Sequence, residues 1–280
     1  MREVVTRFFD TGKCRHVEAM SRIGAPWRAI DFPSVVTLIQ HPDEGPILFD
    51  AGYDAAFLEA TKPLPERLYR WATPVDIPPG RDAASQCRAA GVNPAEVGHV
   101  ILSHFHGDHV AGLHAFPNAV VHCARAGLED IRRGSRLATT RRGLLPGLLP
   151  AGFEVRARFF EEGARVPLPA DLSPFEDGVD LLGDGSLLVV ELPGHCPGHW
   201  GLLIHDSRWG LHFLVADAAW SCEAIRRNAP PPVITTRLLG DTAQVRSTLN
   251  GLHRLHQRNP GLRLTPCHCA ERAAEYAASE

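Results

Sequence analysis

Short runs of β-branched and aliphatic residues recur along this chain, with turn-forming residues between them. Residues 4–9 and 34–40 are such runs and read as strands. The segment between them, through Cys14, His16, Trp27 and Pro33, reads as a loop over an edge. Residues 46–50 form another strand, entered by a hairpin turn at Glu44-Gly45. Residues 53–71 carry helical spacing (Phe57, Leu58, Leu64, Leu68, Trp71), broken by Pro63 and Pro65. Residues 83–90 read as a helix ended by Gly91. The run 98–103 has the look of a buried strand, and 119–122 of the next. Strands are expected again over 153–160 and 187–192, and as a pair over 202–205 and 211–216 around Asp206-Ser207-Arg208. Residues 241–257 form an amphipathic helix with Val245, Leu249 and Leu252 as its stripe and Asp241 or Thr242 as its cap. A last short strand over 262–266 and a closing helix complete a mixed α and β pattern.

Composition narrows the class. The 280 residues suffice for one large domain or two small ones. Charge is balanced, with 29 basic against 32 acidic residues, which argues against a general nucleic-acid binder. No apolar N-terminal segment follows Met1-Arg2-Glu3 and no run of about 18 apolar residues exists, so neither a secretory signal nor a membrane span is expected. Seven cysteines do not make a short disulfide framework and read as reduced thiols in a cytoplasmic protein.

The chemistry concentrates in His104-Phe105-His106-Gly107-Asp108-His109, directly after an apolar strand. Imidazole nitrogen and carboxylate oxygen suit a borderline cation such as Zn²⁺. In an extended turn, His104 and His106 point to one side and can grip one ion; Asp108 and His109 follow as the chain coils and can grip a second. His195 sits in Pro193-Gly194-His195-Cys196-Pro197-Gly198-His199, a stiff loop that suits a ligand. His199 reads as a residue that braces this loop or supports a ligand from behind. Asp217 emerges from an apolar strand and needs a partner, which two cations would supply. His268 ends the last strand between Cys267 and Cys269; the isolated Cys-x-Cys is weak evidence for a soft-metal site. Asp50, where a strand meets Ala51-Gly52, either satisfies local N–H groups or steers a ligand imidazole, and the downstream motif favours steering. His122, Cys123, His253 and His256 read as core or surface residues rather than ligands. Between positions 131 and 175, Arg132, Arg133, Arg136, Arg141 and Arg142 precede a Leu- and Pro-rich run. This region reads as a solvated Arg face over a buried loop, as a lid setting substrate choice, or as an amphipathic membrane-surface contact.

Asp50, the H-x-H-x-D-H run, His195, Asp217 and His268, in that order, resemble the metallo-β-lactamase-fold hydrolases from position 46 to 268. The resemblance implies one four-layer αββα sandwich over residues 1–280, with two mixed sheets face to face and the metal site at one edge. It implies two Zn²⁺ per chain: His104, His106 and His195 on the first, Asp108, His109 and His268 on the second, and Asp217 bridging both. Flavo-diiron relatives carry a Glu near Asp108 and a flavin domain; this chain has neither, which favours zinc over iron. Within the superfamily the chain looks most like the quorum-quenching N-acyl homoserine lactonases. One departure concerns the residue three positions after the bridging Asp, where those lactonases place a Tyr and this chain has Trp220. An indole N–H can donate one hydrogen bond but is not a phenol acid. 

The function implied is hydrolysis of an ester-like carbonyl, a lactone first, by a hydroxide shared between the ions, with Asp108 and Trp220 as catalytic residues. The alternatives are a thioester hydrolase of the glyoxalase II type, served by the Arg cluster, a phosphodiesterase, and a ligand sensor without turnover. The expected partner is a small molecule with an apolar or acyl part. Nucleic acid and stable membrane insertion are not expected, and a homodimer is left open.

Overall fold

A computed structural model describes residues 2–279. Its first mixed sheet contains β1 (Glu3–Val17), β2 (Ala29–His41), β3 (Gly45–Phe49), β4 (Val75–Asp76), β5 (His99–Ile101), β6 (Val120–Cys123) and β7 (Ala157–Phe159), in the order β7-β6-β5-β3-β2-β1-β4. The second contains β8 (Arg165–Pro167), β9 (Asp177–Asp180), β10 (Leu187–Glu191), β11 (Trp200–Asp206), β12 (Gly210–Ala216) and β13 (Arg263–Pro266), in numerical order. Glu3 and Val4 pair in parallel with His205 and Asp206 and so hinge the sheets together. Parallel pairing runs through β3-β5-β6-β7 and β12-β13; the other ladders between neighbours within each sheet are antiparallel.

Strand alternation builds the layers. Val35, Ile39, Ile47, Phe49 and Ile101 on one sheet meet Leu187, Val189, Leu202, Ile204 and Leu214 on the other in a shared core. The intervening residues face outward. Val36, Leu38, Leu48 and Val100 pack under helices α1 (Ala55–Ala60), α3 (Ala83–Ala89) and α4 (Gly107–Val110), with α2 (Arg67–Ala72) beside α1. On the far side Leu188, Val190, Leu203, Phe213 and Val215 pack under the later helices. Both faces of each central strand are therefore buried, which explains the nearly unbroken apolar runs. Helices α5 (Arg125–Arg132), α6 (Arg136–Arg141) and α7 (Phe153–Arg156) follow β6; α8 (Cys222–Arg227), α9 (Val233–Leu239) and α10 (Thr242–Arg258) lie between β12 and β13; α11 (Ala270–Ala277) closes the chain. Asp241 caps α10 by accepting from the Gln244 N–H at 2.8 Å. Val245, Leu249, Leu252 and Leu255 bury its apolar stripe, each contributing about 1.5–3 kcal/mol by leaving water. The αββα sandwich expected from the resemblance is the observed architecture.

Two sequence expectations fail. The stretch read as a loop is mostly ribbon: Cys14 pairs with Phe32, His16 with Ile30 and Lys13 with Pro33, and only Trp27 lies in the connection. The ribbon overhangs the sandwich, so polar pairs such as Lys13–Asp31 (2.8 Å) replace an apolar run. Pro33 is tolerated beside a register shift between Asp10 and Lys13. Residues 153–160 are not one strand either. Gly152, at φ +73°, starts a helical turn, and only Ala157–Phe159 is extended. Among the described residues no helix is long and apolar enough to cross a membrane.

Candidate metal centre

Every candidate ligand leaves the carboxyl end of a strand at the same edge. His104 and His106 follow β5, Asp108 and His109 lie on α4, and His195, Asp217 and His268 follow β10, β12 and β13. Local backbone geometry aims them. Ala216 adopts φ +44° just before Asp217, and Asp50 adopts φ +65°, conformations that cost a non-glycine residue about 1–3 kcal/mol and cluster at functional sites. At Gly107 a Cβ would stand 2.8 Å from the Phe57 ring, so any larger residue would push that buried ring aside.

The side chains form two clusters. In the first, His104 Nε2 and His195 Nε2 each lie 3.0 Å from His106 Nδ1. In the second, His268 Nε2 is 3.2 Å from Asp108 Oδ2, and His109 Nε2 is 3.6 Å from the same atom. Asp217 joins them. Its Oδ2 is 3.2 Å from His195 Nε2, and its Oδ1 is 3.3 Å from His268 Nε2 and 3.5 Å from His109 Nε2.

The residues behind the clusters fix which nitrogens face inward. Asp50 accepts from the Ser103 N–H (2.8 Å), the Ser103 hydroxyl (2.9 Å) and His109 Nδ1 (2.8 Å). The Ser103 oxygen is 3.0 Å from His104 Nδ1. His268 Nδ1 donates to the Pro33 carbonyl at 2.7 Å. With Nδ1 engaged in this way, Nε2 is the atom each of these rings turns toward the centre. His199 Nδ1 donates to the Leu192 carbonyl (3.0 Å), and its Nε2 accepts the Asp217 N–H (3.1 Å), so it braces the backbone of the shared carboxylate. Burial pushes the His199 pKa down to about 4, which keeps that acceptor free.

Electrostatics agree with a cation site. Burial, with the neighbouring imidazoles, pushes His104 well below the usual histidine range; burial does the same for His195 and lowers His106. These rings are therefore neutral, the form a metal ion binds. Across the centre, burial opposes charge on Asp108, but His109 and His268 hold it down at about 2. Asp217 is likewise held well below the carboxylate range against its burial, by His268, His195 and His109. His109 and His268 rise well above the usual range despite burial, His109 through Asp50 and Asp108, His268 through Asp217 and Cys267. In the polypeptide alone, protons on these two rings thus face three buried carboxylates, Asp50, Asp108 and Asp217. A divalent cation fits in their place: the donors are borderline nitrogen and oxygen, and the carboxylates need positive charge.

The centre floors a cavity of about 590 Å³. Phe32, Leu68, Leu137, Ile234 and Leu238 make its walls, with Cys14, Tyr53, Tyr69 and Trp220 nearer the clusters. Trp220 stands over both, its ring 6.0 Å from that of His195 and 6.4 Å from that of His268. Sequence reasoning missed Cys14, Tyr53 and Tyr69, since neither a lone cysteine nor a tyrosine in or beside a helical stretch signals a pocket. Within the Arg- and Leu-rich region, Leu137, Thr140, Arg141 and Gly143 reach the cavity, whereas Leu144, Leu145 and Leu148 are buried core. Arg132, Arg136 and Arg142 are paired with Glu154, Glu66 and Asp130. Cys267 and Cys269 do not act as a chelating pair: the first faces Asp217, while the second accepts from the Cys222 N–H at 3.3 Å.

Two donor clusters sharing one carboxylate, at the edge of an αββα sandwich, are the layout of a metal-dependent hydrolase. The family model described as the Metallo-beta-lactamase superfamily matches residues 29–256, and the chain belongs to that superfamily. Its relatives include the N-acyl homoserine lactonase AttM of Azorhizobium caulinodans, 32% identical over 207 residues, covering 72% of this chain and 70% of the relative. An N-acyl homoserine lactonase from a Bacillus species is 26% identical over 236 residues, covering 80% and 79%. Among solved structures, an N-acyl homoserine lactone hydrolase with N-hexanoyl-L-homoserine at its catalytic metal centre superposes with a TM-score of 0.72 at 20% identity, covering 98% of this chain and 97% of that one. AidC, a dizinc quorum-quenching lactonase, superposes with a TM-score of 0.62 at 14% identity, covering 96% and 88%.

Proposed function

We propose that this protein is a zinc-dependent lactonase acting on a lactone with an apolar acyl chain, of the N-acyl homoserine lactone kind. The observation that carries the reading is Asp217, whose two oxygens are directed into two separate histidine clusters on the floor of an apolar cavity. His104, His106 and His195 would hold one Zn²⁺, Asp108, His109 and His268 the other, and Asp217 both. Bound there, the ions would supply Lewis acidity and bring the pKa of water toward about 7. The remaining work belongs to the chain. Asp108 is placed to orient the attacking water and to take its proton. Trp220, whose ring stands against those of His195 and His268, would supply its indole N–H as a hydrogen-bond donor for the substrate carbonyl. Phe32, Leu68, Leu137, Ile234 and Leu238 exclude water and seat the acyl chain, and the segment carrying Leu137–Gly143 is proposed to set chain-length preference.

The cavity favours a lactone over a glutathione thioester. The latter calls for a basic pocket, but of the clustered arginines only Arg141 lines this one, three of the others being paired with acids. All seven cysteines are free thiols, which supports a cytoplasmic location. A panel of acyl homoserine lactones, thioesters and phosphodiesters tests the reading: lactones should turn over fastest. Asp108→Asn protein of verified metal content should lose hydrolysis, and near-normal activity would refute the role of Asp108.

A further inference from the structure

We propose that the rim of the cavity is a docking surface for an anionic phospholipid bilayer, on which the protein lies without crossing it.

The exposed apolar surface is gathered there. Of the eleven large apolar side chains that stand exposed among the described residues, nine belong to four segments around the cavity mouth; only Val5 on β1 and Val155 on α7 do not. The segments are the β1–β2 connection, where Trp27 is 82% exposed, residues 64–71 including α2, where Trp71 is 64% exposed, and helices α6 and α9, where Leu137 and Ile234 are 57% and 69% exposed. Leu68, Leu137, Ile234 and Leu238 are exposed and also line the cavity, so they stand at its opening. Leu68 and Trp71, three apart on α2, share a face. Polar ties join the segments into one surface. Arg136 on α6 grips Glu66, beside α2, at 2.8 and 2.6 Å. The Ile23 N–H donates to the Pro230 carbonyl (2.8 Å) and the Thr235 hydroxyl to the Met20 carbonyl (3.0 Å), which fastens the β1–β2 connection to α9. Exposed apolar residues scattered singly need no partner, but a group of them around one opening marks a contact surface.

Charge names the partner. Helices α2, α6 and α9 carry five arginines and no acid, in a chain with 29 basic against 32 acidic residues. Among the described residues only Arg136 of the five is paired with an acid; Arg67, Arg70, Arg141 and Arg237 are not. On the β1–β2 connection Glu18 is shared by Arg22 (3.0 Å) and Arg28 (2.8 Å), which leaves a further positive charge in excess. Leucine, tryptophan and arginine together on short surface helices match the headgroup boundary of an anionic bilayer: the apolar side chains enter the acyl edge and the arginine heads reach the phosphates. A second copy of the chain fits worse. A twofold interface joins a patch to itself, so it would set these arginines against their own equivalents and close the cavity mouth. On a bilayer the cavity would instead open toward the lipid, and a long-chain acyl substrate would enter from there. That consequence rests on the proposed function; the docking does not, and its failure would leave the lactonase reading standing.

Flotation of the metal-loaded protein with vesicles tests the proposal. The protein should float with phosphatidylcholine–phosphatidylglycerol vesicles, far less with phosphatidylcholine alone, and less as salt is raised. Brominated lipid in the mixed vesicles should quench its tryptophan fluorescence. Each arginine near an anionic surface adds about fivefold to binding, so Arg67→Gln with Arg237→Gln should weaken it about 30-fold. Trp27→Ser with Trp71→Ser should weaken it at least tenfold and remove most of the quenching, while Val155→Ser, on a helix away from the rim, should change nothing. All five side chains are outside the core, so these variants should melt with the wild type. No flotation of the wild-type protein, equal flotation with both vesicles, or binding unaltered by both double variants would overturn the proposal. So would a stable dimer in sedimentation that shields Trp27 and Trp71 from a soluble quencher, which would assign the rim to a second copy.

Discussion

Asp50→Asn should loosen the second cation position while leaving the fold in place. Asparagine keeps one carbonyl oxygen, which can still accept the Ser103 N–H now 2.8 Å from Asp50 Oδ1. Its amide NH₂ then takes the place of Oδ2, which accepts from the Ser103 hydroxyl and from His109 Nδ1. The hydroxyl can turn to accept. His109 Nδ1 can accept only by moving its proton to Nε2, the atom that faces Asp108 and Asp217. That proton occupies the lone pair a cation requires. Losing such a partner typically costs about 10- to 100-fold in metal affinity. The lost charge-assisted hydrogen bond should lower stability by about 1.5–3 kcal/mol. Competition against a coloured chelator measures the first effect, and urea unfolding of the stripped protein measures the second. If Asp50→Asn protein held both ions as tightly as wild type, the idea that Asp50 sets the His109 tautomer would be wrong.

Gly194→Ala should lower the melting temperature and hydrolysis together. Gly194 has φ +131°, and a Cβ there would lie 2.3 Å from the Val245 nitrogen, a clash with helix backbone worth about 2–6 kcal/mol; an unchanged Tm would contradict the packing described. His122, 3.0 Å from His99, has its pKa lowered to about 4 by burial and by His99. The unfolded chain therefore takes up that proton first on acidification. The stability His122 provides is complete above about pH 6.5 and is lost as pH falls toward 4. Its full extent is at most about 3 kcal/mol, and less because the ring is partly exposed. Urea midpoints of wild type and His122→Gln should converge across that interval, and a constant difference would sink the assignment. Trp220→Phe keeps a ring against His195 and His268 and removes the N–H; kcat on a lactone should fall about tenfold with KM nearly unchanged, as expected for one lost hydrogen bond of about 1.4 kcal/mol. Unchanged kcat would remove the indole N–H from the mechanism.

Individual strands were legible wherever they are buried on both faces; their arrangement as a sandwich came from the family resemblance. Runs such as Ile47-Leu48-Phe49 and Leu187–Val190 are apolar at every position because each alternate residue enters a different core. The 10–17 and 29–33 ribbon escaped notice for the opposite reason: its strands carry Lys13, Arg15 and Asp31 instead of an apolar stripe. The H-x-H-x-D-H run announced itself because its spacing is local. Asp217 and His268 were readable as polar residues ending apolar strands, but only the fold brings them within 3.3 Å of each other. The cavity wall was not readable. Cys14 comes from β1, Tyr53 from the connection between β3 and α1, and Tyr69 from α2, and nothing in their neighbours separates a pocket residue from a core residue.

The most direct test is metal content and lactone hydrolysis measured on one sample. Elemental analysis of freshly purified protein should find about two zinc ions per chain, the number the two donor clusters can hold. The same sample should open a long-chain N-acyl homoserine lactone, lose that activity to a chelator, and regain it when zinc is restored. A folded protein that binds no metal and cannot be reconstituted, or a fully loaded one that leaves lactones intact while cleaving a thioester or phosphodiester, would contradict the account.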